Sequence, residues 1–353
     1  VDALCERIEG RPLRQPKFDA LIVAGPDSTF SERDKLLIDQ YLMNGGRMLW
    51  LMDPLVTNRD SIASQQFTMA TTREIGVFDL LFHYGARLNR NMVLDAQCAP
   101  IMLNAGPMGD HRNMQMFSWY FAPVALSTPD AHPICANLDP VHFDFAGSID
   151  PVNAREGLES TVLLSSSSRS LSYNAPVRVG ASVVELPPEH FETGRTTGFP
   201  LAVLLEGKFE SFYALRLGEA MREDPEFAFN PATDRGQLIV VADADFIRND
   251  VRNTDQGLTP MPLGFDRYSG QVIYDNKEWL LNAVSYLLDD EAQISLRSRS
   301  IAFRPLDETR IRGNENAWSM LAVGSPIAAV LILGWLLAVL RKRRWTPSLS
   351  PKR

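Results

Sequence analysis

The sequence predicts an α/β body built on a parallel sheet, followed by one membrane-spanning helix. Three observations carry this reading. Short apolar runs alternate with capped amphipathic segments, the pattern of βαβ units. Ala317–Leu340 is an unbroken uncharged stretch. Arg341-Lys342-Arg343-Arg344 follows it at once.

Phe18–Ala24 (FDALIVA) is a short apolar strand closed by Gly25-Pro26. Ser31 then offers an N-cap, with Asp34 three residues on as its capping-box partner. Leu36, Leu37, Tyr41 and Leu42 give the helix one apolar face, and Asn44-Gly45-Gly46 ends it. Arg47–Met52 (RMLWLM) is a second buried strand, ending at Asp53-Pro54. Strand, helix and strand make one βαβ unit, and such units build parallel sheets.

The middle is less regular. Residues 76–84 predict a helix closed by Gly85, and Asn91–Leu94 a strand. The stretch 98–145, rich in Pro, Met and aromatics, reads as a long, partly extended excursion. Thr161–Ser165, Pro200–Leu205 and Gln237–Ala242 are further strands. Asn276–Leu288 (NKEWLLNAVSYLL) keeps one apolar face and is a helix that Asn276 can cap. No fixed-period repeat occurs.

As a helix, 317–340 would be about 36 Å long, against about 30 Å of bilayer hydrocarbon. Trp318 and Trp345 stand near its ends, where membrane interfaces favour aromatics. Pro326 is tolerable in such a span. The basic flank favours the cytoplasm, which places residues 1–316 outside it, in the periplasm of a double-membrane bacterium. The domain reading is a body over 1–290 with an irregular insertion at about 98–150. A basic juxtamembrane segment (291–316), the span (317–340) and a cytoplasmic tail (341–353) follow. The chain begins at Val1 rather than Met, so it reads as a fragment or a processed product.

Charge narrows the function classes. The 353 residues carry 35 basic and 43 acidic side chains, net −8. Arg341–Arg353 holds six of the basic ones and no acidic one, so everything before it stands at −14. So acidic a body is a poor fit to nucleic acid. The three cysteines, Cys5, Cys98 and Cys135, are too scattered for a disulfide scaffold or zinc ribbon.

Candidate chemistry concentrates at strand ends. Asp243 and Asp245 follow the 237–242 strand, and Asp53 follows the 47–52 strand, where α/β sheets place ligands. Paired carboxylates there can hold Mg²⁺ or Ca²⁺. The plainer reading is that they cap the turn and pair with Arg248 or Arg252, since no further ligand set accompanies them. No G-x-S-x-G elbow occurs, and Cys98 or Cys135 with His111, His132 or His142 makes only a weak dyad. His132, Cys135 and His142 lack a fourth zinc ligand. No phosphate-binding glycine motif is present, so any nucleotide hydrolysis belongs to another chain. No metal or cofactor is expected. Leu263–Gln271 (LGFDRYSGQ) is a polar-aromatic loop suited either to recognition or to plain backbone geometry.

The segments 18–55, 78–101, 132–139, 262–271, 276–290 and 294–307, with the terminal helix and RKRR, together carry a family resemblance. In this order they resemble the GldG family, auxiliary subunits of the gliding-motility ABC transporter of Bacteroidota-type bacteria. The resemblance spans nearly the whole chain. It implies a periplasmic region similar to class I glutamine-amidotransferase-like domains without their catalytic cysteine, in accord with Asp53-Pro54 standing where a nucleophile elbow would be. It also implies an N-terminal membrane helix upstream, and a multi-spanning permease and a cytoplasmic ATPase as partners.

The leading expectation is therefore a non-catalytic, membrane-anchored ABC transporter subunit serving gliding motility, with self-association a further expectation. The alternative is a tethered ligand-binding protein that delivers a solute through Asp53, Asp243 and Asp245. A degenerate amidotransferase-like enzyme is a third reading. Arg297, Arg299 and Arg304, in the basic segment before the span, suit docking onto acidic surface as well as they suit a plain tether.

Overall fold

A computed structural model describes residues 3–7, 14–57, 67–108, 111–128, 131–152, 156–254, 257–288 and 315–345. The chain divides into two compact units, Val1–Ser300 and Ile301–Arg353.

The first unit grows from the expected strand–helix–strand element. Leu21–Ala24 and Arg47–Leu51 pair in parallel across the helix Glu32–Met43. Ser31 caps that helix: the Asp34 N–H donates to its hydroxyl, and the Ser31 N–H donates to the Asp34 carboxylate, both at 3.2 Å. At the other end Gly45 takes φ +90°, a left-handed conformation that favours glycine. Gly46 is required for a different reason, since a Cβ there would lie 2.4 Å from the Tyr41 ring.

The sheet that extends this unit is mixed rather than parallel. Its five strands run in the order Leu158–Ser165, Pro200–Glu210, Ala232–Val241, Arg47–Leu51, Leu21–Ala24. Ala232–Val241 joins Arg47–Leu51 in parallel, while the two strands beyond it are antiparallel. Every other strand pairing among the described residues is antiparallel too. Apolar runs such as PLAVLL report burial on both faces and carry no strand direction, which is why the sequence suggested a parallel sheet.

Both faces of the sheet are buried. Met48, Trp50, Val203, Leu205, Leu238 and Val240 point to one side, against Ile38, Tyr41 and Leu42 of the first helix and Leu80, Leu81 and Tyr84 of the helix Phe78–Tyr84. Leu49, Leu51, Ala202, Leu204, Ile239 and Val241 point to the other, against Trp279, Ala283 and Leu287 of the helix Asn276–Leu288. Alternate residues thus serve opposite cores. Each large apolar side chain buried this way contributes about 1.5–3 kcal/mol.

Two readings are corrected here. The stretch read as an irregular excursion forms a long hairpin, Cys98–Met108 against His111–Ala125. Pro100, Pro107 and Pro123 lie within its strands, and Pro123 adjoins the register shift after Ser118. Prolines disguise strands in a sequence, and they are accommodated at edges and bulges. Asn276 does not cap its helix through the first turn. Asp275 O accepts from the Trp279 N–H, and the Asn276 amide donates to His142 O and Phe246 O at 2.7 and 2.9 Å. The helix start is thereby pinned to the turns of the sheet.

One buried carboxylate links the first core. Asp39 is fully buried on the first helix. Its Oδ1 accepts from the Tyr84 hydroxyl (2.9 Å) and the Phe212 N–H (2.8 Å); its Oδ2 accepts from the Ser211 hydroxyl (2.7 Å) and the Gln40 amide (3.0 Å). Two helices and the turn after Pro200–Glu210 meet there.

The second unit contains the helix Glu315–Trp345, 31 residues with Pro326 inside it. Its window Gly324–Arg341 is long and apolar enough to cross a membrane, and none of it is buried. Val330 and Trp335 are 70% and 68% exposed. So continuous an apolar surface needs lipid or a partner around it.

Asp39→Ala should lower unfolding stability by about 3 kcal/mol or more, because it strands several buried donors at about 1–3 kcal/mol each. Asp39→Asn keeps an acceptor for Tyr84 and Phe212 and should cost clearly less. Denaturant unfolding of the two variants checks this; equal losses would contradict the hub role.

Candidate functional site

The sheet's parallel strands Arg47–Leu51 and Ala232–Val241 end side by side, with Leu51 paired to Val241. The chain leaves them through Asp53 and Asp243. The Ala244 N–H donates to Asp53 Oδ1 at 2.7 Å, which ties the two turns together. The Arg73 guanidinium lies 3.6 Å from Asp53 Oδ2. Asp243 is fully buried and accepts from the Asp144 N–H (2.7 Å) and the Phe246 N–H (3.1 Å). Asp245 pairs with Arg248 at 2.8 Å. This is the turn-capping and ion-paired arrangement that was the plainer sequence reading.

The structure therefore gathers Asp53, Asp243 and Asp245 at one sheet edge. Burial raises the Asp243 carboxyl well above the ordinary aspartate value, and the nearby Asp53 and Asp245 push it further. Asp53 is raised chiefly by burial, with Asp245 adding to the shift. Among the described residues, no group of three His, Cys, Asp or Glu side chains could hold a metal ion.

Beside this edge opens a cleft of about 1910 Å³. Asp243, Asp245, Arg248 and Asp250 line its floor, while Asp53 is not among its lining residues. The hairpin supplies one wall through Ile101, Leu103, Phe117 and Trp119, and residues 262–268 supply another. Arg178 and Glu185 contribute from a third side, with Phe67 beneath the Arg178 guanidinium at 4.4 Å. The Met102 N–H donates to the Tyr268 hydroxyl at 3.0 Å, linking hairpin and loop. Arg267 makes a two-nitrogen pair with Asp250, at 2.6 to 3.2 Å.

The loop Leu263–Gln271, read from sequence as suited either to recognition or to backbone geometry, reaches the cleft through its residues 263–268. The hairpin wall, Arg178 and Asp144 were missed. The signal for the hairpin wall was alternation along 111–125: Met114 and Met116 are exposed on one face, while Phe117 and Trp119 face the cleft.

Cys135, His132 and His142 each contact other side chains. Cys135 is buried, receives the Trp279 indole N–H at 3.3 Å and donates to Leu163 O at 3.2 Å. His132 packs on Tyr286 and His142 on Tyr274. Burial pushes both the Cys98 and the Cys135 thiol up to about 12, so neither carries a ready thiolate. Arg297, Arg299 and Arg304 lie outside the described residues.

A family model described as "ABC-type uncharacterized transport system" matches residues 5–283. That is most of the chain, and the protein belongs to this family of auxiliary components of ABC-type transport systems. The match covers most of the first unit and stops before the apolar helix. No curated protein sequence matches the chain. A solved structure titled "mmIFT52 N-terminal domain" is similar at 12% identity, covering 77% of this chain and 78% of that one, with a TM-score of 0.37. A likeness that slight carries no argument about function.

The Asp243 shift has a measurable sign. Its folded pKa lies above its unfolded value, so its contribution to stability is complete below about pH 3.9 and is lost as pH rises through the folded pKa. Replacing it by Asn removes that contribution to the pH dependence. Unfolding free energy of Asp243→Asn, followed from acid to neutral pH, should therefore fall less steeply than that of the parent chain; parallel slopes would contradict the assignment.

Proposed function

We propose that this member of the ABC transport auxiliary family is a non-catalytic, membrane-anchored subunit, holding its α/β body outside the cytoplasm beside a permease whose ATPase is a separate chain. One combination carries the reading. A family-matched body at 5–283 is followed, in the same chain, by an exposed apolar helix with Arg341-Lys342-Arg343-Arg344 at its end. The basic flank favours the cytoplasmic side, and so the opposite side for the body. The raised thiols and the absence of a nucleophile elbow in the sequence support a non-catalytic role.

The resemblance to GldG supports gliding motility as the cell's use of the transporter, and an amidotransferase-like ancestry for the body. Self-association is part of the same proposal. The second reading, a tethered protein that delivers a solute, is favoured by the cleft alongside Asp243 and Asp245. The proposed boundaries are the body over 1–290, a basic juxtamembrane segment over 291–316, the span over 317–340 and a cytoplasmic tail over 341–353.

Arg297, Arg299 and Arg304 are proposed to dock onto carboxylates of the permease or of the body itself. Guanidinium groups suit this because they engage carboxylates as a two-toothed fork. The fusion and substitution tests separate these ideas. A reporter placed after Arg353 should be active only in the cytoplasm, and periplasmic activity would overturn the orientation. Changing Arg297, Arg299 and Arg304 together to Gln should weaken permease pull-down while leaving the chain folded, and high salt should mimic the loss. Undiminished pull-down at low salt would reduce the segment to a tether.

A further inference from the structure

The hairpin of Cys98–Met108 and His111–Ala125 turns one face to the cleft and the other to solvent. From Pro100 to Asn104, and from Met114 to Ser118 opposite, its register is unbroken. Ile101, Leu103 and Phe117 face the cleft. Side chains alternate across a strand, so Met102, Met114 and Met116 share the opposite face. They are 40%, 48% and 47% exposed, so their sulfurs are open to an incoming ion.

The backbone brings these three methionines together. Met102 stands directly opposite Met116. Its N–H donates to the Tyr268 hydroxyl at 3.0 Å rather than across the ladder. The pair is therefore of the non-hydrogen-bonded kind, in which facing side chains come closest. Facing Cβ atoms lie about 4.5–5.5 Å apart, and a diagonal neighbour such as Met114 lies about 7–8 Å away, within reach of a long side chain. The methionine side chain is unbranched and rotates freely, so three sulfurs can converge above the sheet without moving the backbone.

The rest of that face decides which ion fits. Pro100, Asn104 and Ser118 complete it along the regular stretch, so the six positions carry no charge, imidazole or thiol. Cys98 lies four residues before Met102, about 13 Å along the strand, and its thiol interacts with Ser118. Hard cations such as Mg²⁺ and Ca²⁺ require several oxygen ligands, and Zn²⁺ takes thiolate, imidazole or carboxylate. Thioethers are soft, uncharged donors and select Cu⁺. An apolar docking patch is the competing use of exposed methionines. The cores of such patches are enriched in aromatic residues too. Here Phe117 and the branched Ile101 and Leu103 are on the cleft face, and thioethers are the large apolar groups of the outer one.

We propose that Met102, Met114 and Met116 form a soft-metal site that binds one Cu⁺ through three thioether sulfurs. Thioethers lie outside the His, Cys, Asp and Glu donor set, so the site stands beside the finding that no cluster of those residues among the described ones could hold a metal. The proposal goes beyond the auxiliary-subunit reading and does not rest on the orientation, the partners or the transporter's cargo.

The test uses the purified full chain in detergent and chloride-free buffer, with carbon-13 at the methionine methyl groups. Ag⁺ serves as a redox-inert probe, and Cu⁺ is added under anaerobic conditions with ascorbate. The expected result is that either ion shifts three methyl resonances together. Those three are the ones missing from the spectra of Met102→Leu, Met114→Leu and Met116→Leu. Each substitution should weaken binding by at least about tenfold with unchanged thermal unfolding, because leucine keeps the apolar volume and removes the sulfur. Cys98→Ser should bind as the parent chain does, and Zn²⁺ and Mg²⁺ should leave the three resonances in place. No shift of these resonances with either soft ion overturns the proposal. So does an equal shift with Zn²⁺, affinity undiminished in the triple leucine variant, or binding lost in Cys98→Ser.

Discussion

Everything in the α/β body depends on covering both faces of one five-stranded sheet. Strands with apolar residues at successive positions have no face to turn to water, so each side must find its own partner layer. The helices Glu32–Met43 and Phe78–Tyr84 take one face and Asn276–Leu288 takes the other. That requirement fixes the polar details as well. Asp39 is buried because the first helix must lie flat on the sheet, and it is tolerable there because four donors converge on it. Asn276 plays the matching part on the second face, holding the start of its helix against His142 and Phe246.

The same constraint explains what the sequence disclosed. Ser31, Asp34 and Gly45-Gly46 announce the first helix through local chemistry, and all are found in those roles. Helix Asn276–Leu288 was legible from its apolar spacing and matches the expected bounds. Direction within the sheet was not legible, because Leu201–Leu205 and Leu238–Val241 are buried equally whether their neighbours run parallel or antiparallel. The hairpin was hidden by Pro100, Pro107 and Pro123, residues that ordinarily argue against strands. For the site, Asp53, Asp243 and Asp245 could be named because strand ends are where α/β sheets place functional groups. Their division could not, since it depends on tertiary contacts: Asp53 ties the turns together while Asp243 and Asp245 line the cleft.

Family and architecture converge on a division of labour. The family match ends at 283, within the last helix of the sheet-covering layer, and the apolar helix lies outside it. Under the proposed role, an acidic body with a wide cleft presents a surface rather than turning over a substrate. The raised Asp243 carboxyl is explained by burial and by the neighbouring Asp53 and Asp245, without any catalytic demand. The proposed transporter role assigns nucleotide chemistry to another polypeptide and leaves this one to anchor and recognise.

Purification of the tagged, intact chain from native membranes tests that assignment most directly. The account predicts that it stays in the membrane fraction through an alkaline carbonate wash. It should then co-purify in mild detergent with a multi-spanning permease and an ATPase that bears a phosphate-binding loop. Release of the chain by the wash, or its purification from the membrane without either partner, would contradict the account.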